Sequence, residues 1–304
     1  MPTPALDWSG VFPAVTTQFH HDESLDLEAS MAHLEWLLAS GVDGFVLLGT
    51  LGENAALEPA EKRALLEAAV RTVAGRVPLL AGVAECSTAA ACRFAADAQS
   101  LGADGLMVLP GMVYRADGPE VLAHLRAVAG ASDLPIMIYN NPVTYGVDIA
   151  PEMFAALSDE PLLAAIKESS DDIRRLSDIH NAVGERYTVF CGVDDIAVEA
   201  ALNGAAGWVA GLVNAFPEET VRLWRLCQEG RWEEARALNR WFMPLLHLDC
   251  HPKLVQYIKL AQAMAGRGTE TVRLPRQTIS GAERERVTGI VQAALDSRPK
   301  LAAA

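Results

Sequence analysis

The chain has 304 residues, of which 51% are hydrophobic, and a net charge of −14 at pH 7. The charge argues against nucleic acids and anionic membranes as partners, because both are negative, and the length is enough for one large core or two ordinary domains. No apolar run approaches membrane-spanning length, the start Met1-Pro2-Thr3-Pro4 lacks the blocks of a signal peptide, and the five cysteines are widely spaced, so we expect a cytoplasmic protein with reduced thiols.

Eight short apolar runs alternate with stretches of helical spacing along the first two thirds of the chain. Their length and continuous apolar character are typical of buried parallel strands. A pair of glycines stands at the start of each of three runs, in residues 40–44, 101–105 and 203–207. The first glycine suits the left-handed residue that ends a helix, and we expect the second to allow a tight turn into the strand. The runs begin near Val11, Gly44, Val77, Gly105, Pro135, Leu162, Tyr187 and Gly207.

Eight strand–helix units predict a (β/α)₈ barrel over residues 1–218. A doubly wound sheet is the alternative, but it would need a glycine-rich phosphate loop after the first strand, and residues 16–19 contain no glycine. After about Glu218 no strand pattern remains, and helices are predicted near 219–229, 231–246, 252–265 and 281–296. Residues 219–304 are therefore predicted to form a C-terminal helical extension packed on the barrel.

Lys167 carries the strongest chemical signal in the sequence. It stands at the end of the apolar run 162–166, and it is one of only five lysines. Lysine is rarely buried, because desolvating an ammonium group is costly. A desolvated amine stays neutral and is a nucleophile toward ketones. The alternative is a structural lysine that pairs with an acid as the strand leaves the core.

Tyr139 and Thr50 stand at the ends of the fifth and second predicted strands. Active sites of such barrels lie at the C-terminal ends of the strands, so Tyr139 and Lys167 are predicted to point inward at the same rim. A phenol close to the Thr50 hydroxyl could relay the protons that imine formation requires. The alternatives are a capping box made by Thr50 and Glu53, and a rim tyrosine bonded to backbone.

Several other polar residues near strand ends are interpreted as structural. Asp194 and Asp195 are expected to cap a helix, and Glu168 should face away from Lys167 because neighbouring strand residues point to opposite sides. The segment 247–251 contains four possible metal ligands, but Pro252 disfavours a helix through it and no further His or Cys pair completes a site. We expect a turn between two helices there, with one or two side chains near the rim and no metal.

Four ordered segments resemble the signature motifs of the dihydrodipicolinate synthase / N-acetylneuraminate lyase family, with similar spacing from about Val11 to residue 265. The resemblance implies a (β/α)₈ barrel, a Schiff-base mechanism on 2-oxo acids without a cofactor, and commonly a homotetramer. Lys167 matches the imine-forming lysine, Tyr139 the proton-relay tyrosine and Thr50 the first hydroxyl of the loop after strand 2. The segments are Gly49-Thr50-Leu51-Gly52-Glu53, Tyr139-Asn140-Asn141-Pro142, Ile166-Lys167-Glu168-Ser169 and Gly192-Val193-Asp194-Asp195.

The chain departs from dihydrodipicolinate synthases at the positions predicted to bind substrate, which are Gly49, Leu51, Thr144 and Gly192. Leu51 stands where these enzymes usually have a second threonine, and Thr144 replaces an arginine that would grip a second carboxylate. The paired tyrosines after strand 4 are missing, since residues 110–114 contain only one. Lysine biosynthesis is therefore disfavoured, and so is sialic acid cleavage, because the polar lining that a polyol needs is not evident.

The Gly-Thr-Leu-Gly-Glu loop together with residues 251–259 is most similar to 1-pyrroline-4-hydroxy-2-carboxylate deaminases of hydroxyproline breakdown. The resemblance implies conversion of that cyclic imine to 2-oxoglutarate semialdehyde and ammonia. A 2-keto-3-deoxy sugar acid aldolase or dehydratase, or a pyruvate aldolase like dihydrodipicolinate synthase, is the alternative enzyme. A binding or sensing protein for 2-oxo acids is the non-enzymatic alternative.

Overall fold

The computed structural model describes residues 8–111 and 113–300. The expectation of a start without a signal peptide concerns residues 1–4, which lie outside the described residues. Met112, in the segment after the fourth strand, and the last four residues lie outside them as well.

Eight parallel strands form a single sheet in the order β1-β8-β7-β6-β5-β4-β3-β2. A parallel bridge between Ala14 and Val46 joins the two outermost strands, so the sheet closes into a barrel. The predicted (β/α)₈ barrel is confirmed, and each of the eight predicted runs contains a strand. The strands are β1 Gly10–Pro13, β2 Phe45–Leu47, β3 Leu79–Val83, β4 Gly105–Val108, β5 Ile136–Asn140, β6 Leu163–Glu168, β7 Thr188–Cys191 and β8 Gly207–Ala210.

Helices follow the strands around the barrel, and the later ones continue after β8. Their bounds are α1 Leu27–Ala39, α2 Pro59–Val73, α3 Thr88–Leu101, α4 Gly118–Ala129, α5 Pro142–Tyr145, α6 Pro151–Ala156, α7 Arg174–Val183, α8 Ala197–Leu202, α9 Pro217–Gln228, α10 Trp232–Leu246, α11 Leu254–Met264 and α12 Gly281–Asp296. The division into a barrel of residues 1–218 and an extension of residues 219–304 stays a prediction. In the described part of the chain, every helix is too short or too polar to cross a bilayer.

The glycines that end three helices adopt the backbone geometry that the sequence predicted. Gly41, Gly102 and Gly204 have φ angles of 84°, 91° and 89°, in the left-handed region where only glycine is free of strain. These residues stop α1, α3 and α8 and send the chain back toward the barrel.

In two of the three pairs, the second glycine has a different role from the expected tight turn. Neither Gly44 nor Gly207 has a positive φ. A Cβ atom on Gly44 would lie 2.5 Å from Phe12 Cε2, and one on Gly207 would lie 2.6 Å from Phe190 Cζ. Phe12 and Phe190 in turn meet edge to face, with ring centroids 5.2 Å apart. The glycines therefore make room for aromatic side chains in the packed interior of the barrel.

Candidate active site

Lys167 lies near the C-terminal end of β6, and its side chain lines a cavity of about 430 Å³ at the rim of the barrel. Only 6% of the residue is exposed. Within the described residues its amine has no ion pair and no hydrogen-bond partner, so the alternative of a structural lysine paired with an acid is wrong. Burial lowers the pKa of Lys167, although the carboxyls of Asp249 and Asp194 act in the opposite direction.

Gly192 leaves room for the side chain of Lys167 to pass. A Cβ atom at this position would lie 2.6 Å from Lys167 Cε and 2.7 Å from Lys167 Cγ. Such distances are far inside van der Waals contact, so only glycine leaves the lysine in place. Gly192 lines the cavity as predicted for a substrate-binding residue, and its observed contact is with the lysine.

Tyr139 is the strand partner of Lys167, since β5 and β6 pair directly at these two residues. The amine nitrogen lies 4.0 Å from the centroid of the Tyr139 ring. Asn141 Nδ2 donates a 3.0 Å hydrogen bond to the Tyr139 hydroxyl, so the alternative of a rim tyrosine bonded to backbone is wrong. Burial raises the pKa of Tyr139 to about 12, against the effect of Asn141. The phenol therefore holds its proton near neutral pH and can donate it.

Within the described residues, the Thr50 hydroxyl makes no hydrogen bond to Tyr139, and its part in the proton relay stays a prediction. That hydroxyl shares a hydrogen bond with the hydroxyl of Tyr145 instead. Tyr145 meets Tyr139 edge to face, with ring centroids 6.0 Å apart, and burial raises its pKa. A second phenol, from the same chain, therefore stands between the threonine and the first phenol. Tyr145 was not predicted from the sequence as a site residue, although it directly follows Thr144.

The other predicted substrate-binding residues also line the cavity. Gly49 and Leu51 come from the loop after β2, and Leu51 is buried. Thr144 is exposed on α5, and its backbone N–H donates a 2.9 Å hydrogen bond to Asn141 Oδ1. Their contact with a substrate stays a prediction.

A buried ion pair between Glu53 and Lys259 holds the loop after β2 in place. Glu53 has a left-handed backbone, with φ of 54°, and makes no side-chain cap, so the proposed capping box is wrong. Lys259 Nζ on α11 lies 3.1 Å from Glu53 Oε1 and donates to Thr17 O at 2.8 Å. The backbone N–H of Arg273 donates to Glu53 Oε2 at 3.0 Å. Helix α11 and the segment that follows it thus fix the loop that carries Thr50, a role that was not predicted from the sequence.

Asp194 and Asp195 do not cap the helix that they begin, contrary to expectation. Asp194 accepts hydrogen bonds from the Trp208 indole and from the backbone N–H groups of Gly211 and Leu212, at 2.9, 3.0 and 2.7 Å. Burial raises the pKa of Asp194 to about 6. Asp195 Oδ2 lies 2.8 Å from Nδ1 of His247. The two carboxyls therefore anchor the segment after β8 and the end of α10.

Glu168 faces away from the amine, as predicted. Its Oε2 accepts a 3.0 Å hydrogen bond from Asn140 Nδ2, and its Oε1 accepts one of 2.8 Å from the backbone N–H of Ser170. With both oxygens engaged outside the cavity, Glu168 is not placed to move the protons of the reaction.

Residues 247–253 form a turn between α10 and α11, as expected from Pro252. Asp249, Cys250 and His251 line the cavity. The two histidines do not converge, because His247 faces Asp195 while the ring of His251 stacks on Tyr257 at a centroid distance of 4.6 Å. The sequence predicted one or two side chains of this segment near the rim, but it did not single out Asp249.

The model of the dihydrodipicolinate synthetase family matches residues 7–294 of the chain. A 4-hydroxy-tetrahydrodipicolinate synthase of Methanosphaerula palustris is 32% identical over 290 residues, which cover 93% of this chain and 98% of that protein. A probable 2-dehydro-3-deoxy-D-pentonate aldolase of Escherichia coli is 33% identical and covers 88% of this chain and 91% of its own length. The crystal structure of YagE from Escherichia coli, in complex with pyruvate, superposes with a TM-score of 0.89 at 26% identity, over 95% of this chain and 99% of that one.

Proposed function

The chain belongs to the dihydrodipicolinate synthetase family, and from that premise we propose that it deaminates 1-pyrroline-4-hydroxy-2-carboxylate to 2-oxoglutarate semialdehyde and ammonia. Members of this family are lysine Schiff-base lyases and aldolases. The family therefore gives the class of reaction, and the substrate and products are proposed here. The observation that supports it most is the amine of Lys167, which is buried, unpaired within the described residues and next to the phenol of Tyr139.

The first steps open the ring and create an electron sink. Neutral Lys167 adds to C2 of the cyclic imine, and the C2–N bond of the ring breaks as the new C2=N bond forms. The phenol of Tyr139 supplies the proton that the departing ring nitrogen takes up, and this nitrogen remains attached to C5 as an amine. The Schiff base at C2 acidifies the C3 proton, which the resulting phenolate removes. Asn141 orients Tyr139 for both transfers, and Thr50 with Tyr145 can pass protons onward.

The later steps remove the hydroxyl and then the nitrogen. The enamine electrons expel the hydroxyl from C4, which leaves as water. Proton shifts move the double bond to C5, and hydrolysis there releases ammonia and leaves an aldehyde. Hydrolysis of the C2 imine frees Lys167, so the whole reaction consumes a single net water. The lysine supplies the electron sink, and no cofactor enters these steps.

The cavity lining supports a compact substrate with one carboxylate. Leu51 offers an apolar surface, and Thr144 cannot grip a second carboxylate as an arginine would. Arg276 lines the cavity, with Nη1 3.8 Å from Glu53 Oε2, and it supplies a positive charge near the loop after β2. That loop and Arg276 together suit the single carboxylate of the proposed substrate.

A 2-keto-3-deoxy sugar acid aldolase is the second candidate. The similarity to the pentonate aldolase and to the pyruvate complex of YagE favours it, because aldol cleavage of such acids also proceeds through a lysine imine and releases pyruvate. A sensing protein for 2-oxo acids is disfavoured, because such a protein would not need the phenols of Tyr139 and Tyr145 beside the amine.

A substrate panel tests the proposal. Purified protein is incubated with the hydroxypyrroline carboxylate, with keto-deoxy sugar acids, and with pyruvate plus aldehydes, and ammonia and pyruvate are both measured. We expect ammonia from the first substrate, and none from a Lys167→Ala control. Pyruvate release from a keto-deoxy acid without deamination would assign the aldolase, and imine trapping without any turnover would assign the sensor.

We also propose that the chain forms a homo-oligomer, a tetramer or dimer, in the cytoplasm. Val113 and Tyr114, neighbours after β4, are 92% and 64% exposed and offer apolar surface to a second copy of the chain. All five cysteines are free, as in a reducing compartment. Sedimentation equilibrium measures the assembly, and a monomer at micromolar concentration would contradict it.

A further inference from the structure

Asp249 reaches the cavity from the turn between α10 and α11, in the C-terminal third of the chain. Its carboxyl group lies directly on Gly211, just after β8, where a Cβ atom would lie 2.6 Å from Asp249 Cγ. Gly211 therefore makes room for this side chain, much as Gly192 makes room for Lys167. The two glycines follow the neighbouring strands β7 and β8, and the acid and the amine that they make room for line the same cavity.

The carboxyl of Asp249 differs from the other acids of the rim. Asp194 is saturated by hydrogen bonds from Trp208 and backbone, and Asp195 is bound to His247. Asp171 lines the cavity too, but it is exposed to solvent. Asp249 accepts no hydrogen bond from any residue in the described parts of the chain. Its oxygens are thus available to a bound substrate.

The surroundings of Asp249 favour the protonated form of its carboxyl group. Burial raises its pKa well above the usual range, the neighbouring charge of Asp194 acts in the same direction, and Lys167 opposes both. Asp195 and Asp171 add smaller contributions of the same sign as Asp194. Burial also lowers the pKa of Lys167, so the low-polarity surroundings favour the neutral form of both groups. An acid in this state is a proton donor.

We propose that Asp249 is a further catalytic residue that protonates the hydroxyl leaving from C4 of the substrate. The inference rests on the proposed function, since it assigns a group to the elimination step of that reaction. As the enamine electrons form the C3=C4 bond, the C4–O bond breaks, the O–H bond of Asp249 breaks, and the hydroxyl departs as water. After elimination the C2 imine on Lys167 is protonated, and its hydrolysis returns the neutral amine and releases one proton. The Asp249 carboxylate takes up that proton, so protons and electrons balance over the cycle.

Two substitutions at Asp249 and a matched control test the role. Asp249→Asn keeps the shape but removes the acid, and Asp249→Glu keeps the acid. Asp172→Asn makes the same change at an acid that is 40% exposed and paired with Arg174 outside the cavity. Ammonia release from the hydroxypyrroline carboxylate is measured, and the imine is trapped with borohydride and weighed by mass spectrometry. Imine formation with pyruvate, which has no hydroxyl to lose, reports on Lys167 alone.

We expect Asp249→Asn to lower kcat by about 10²-fold or more, as loss of a general acid does. The trapped adduct of this variant should keep its hydroxyl, whereas the wild-type adduct should be lighter by one water. Imine formation with pyruvate should stay within about threefold of wild type, Asp249→Glu should recover part of kcat, and Asp172→Asn should match wild type.

Two results overturn the assignment while leaving the deaminase intact. One is wild-type kcat in Asp249→Asn, and the other is an equal loss of pyruvate imine formation, which would mean that Asp249 only positions Lys167. Absence of ammonia release from wild-type protein is a different failure, because it refutes the proposed function and the assignment of Asp249 with it.

Discussion

Lys167 and Lys259 are both buried lysines near the C-terminal rim of the barrel, yet their surroundings differ in one decisive respect. Lys259 is fully buried, lies 3.1 Å from a carboxylate oxygen of Glu53 and donates to a backbone carbonyl at 2.8 Å. Lys167 has neither kind of partner within the described residues and instead faces a cavity. The first lysine is part of the scaffold, and the second is available for chemistry.

Burial alone therefore does not identify a nucleophile. Lys62 is also buried, and its amine bonds to Asn54 Oδ1 at 2.9 Å and to Glu85 Oε1 at 2.7 Å. The rarity of buried lysine was the original reason to single out Lys167, but this chain buries three lysines. What distinguishes Lys167 is that its amine faces the cavity and makes no ion pair or hydrogen bond within the described residues.

Removing each amine in turn should give the largest effects, and it tests whether Lys167 serves catalysis and Lys259 serves stability. Lys167→Ala should lower turnover by roughly 10⁴-fold or more, because the covalent route is lost, while the protein stays folded. Lys259→Ala should instead lower the free energy of unfolding by about 3–5 kcal/mol, since it leaves the buried Glu53 carboxylate without its partner. Steady-state kinetics and urea denaturation on both variants measure the two effects.

Either of two results would contradict this difference between the lysines. A Lys259→Ala protein with wild-type stability would mean that the Glu53 pair does not hold the loop. A Lys167→Ala protein that keeps its turnover would mean that the reaction does not pass through this amine.

Gly192→Ala tests whether the glycine is needed to position the amine of Lys167. The added methyl group would overlap the lysine side chain, so we expect imine formation with pyruvate to slow by about 10²-fold, the loss that small misplacements of a reacting group cause. Gly289→Ala is the matched control, because nothing lies within 4 Å of a Cβ at that position of α12. The control should keep the wild-type rate. Equal rates in all three proteins would show that Lys167 tolerates displacement.

The pH dependence of imine formation is the smallest expected effect. Burial penalises the ammonium form, so the pKa of Lys167 is lowered and the neutral amine becomes the main form at a lower pH than in a free lysine. The rate of borohydride trapping with pyruvate should rise with pH through a pKa below the ordinary lysine value of about 10.4. Tyr139, with its pKa raised to about 12, stays protonated over this range. A rise centred at or above the ordinary lysine pKa would contradict the desolvated amine.

The strands and the two central site residues could be predicted because their signals are local. Apolar runs mark the strands, and the rule that barrel sites lie at strand ends places Tyr139 and Lys167 together. The contacts that the sequence missed join distant parts of the chain. Lys259 and Glu53 are 206 residues apart, and the hydroxyls of Thr50 and Tyr145 are separated by 95 residues. No spacing rule indicates such pairs, since the closed barrel alone brings their segments together.

Reduction with borohydride in the presence of pyruvate, followed by peptide mass spectrometry, tests the central role of the unpaired amine most directly. The account predicts an adduct on Lys167 and none on Lys62 or Lys259, although all three are buried. An adduct on either of the paired lysines, or full turnover with no adduct on Lys167, would contradict it.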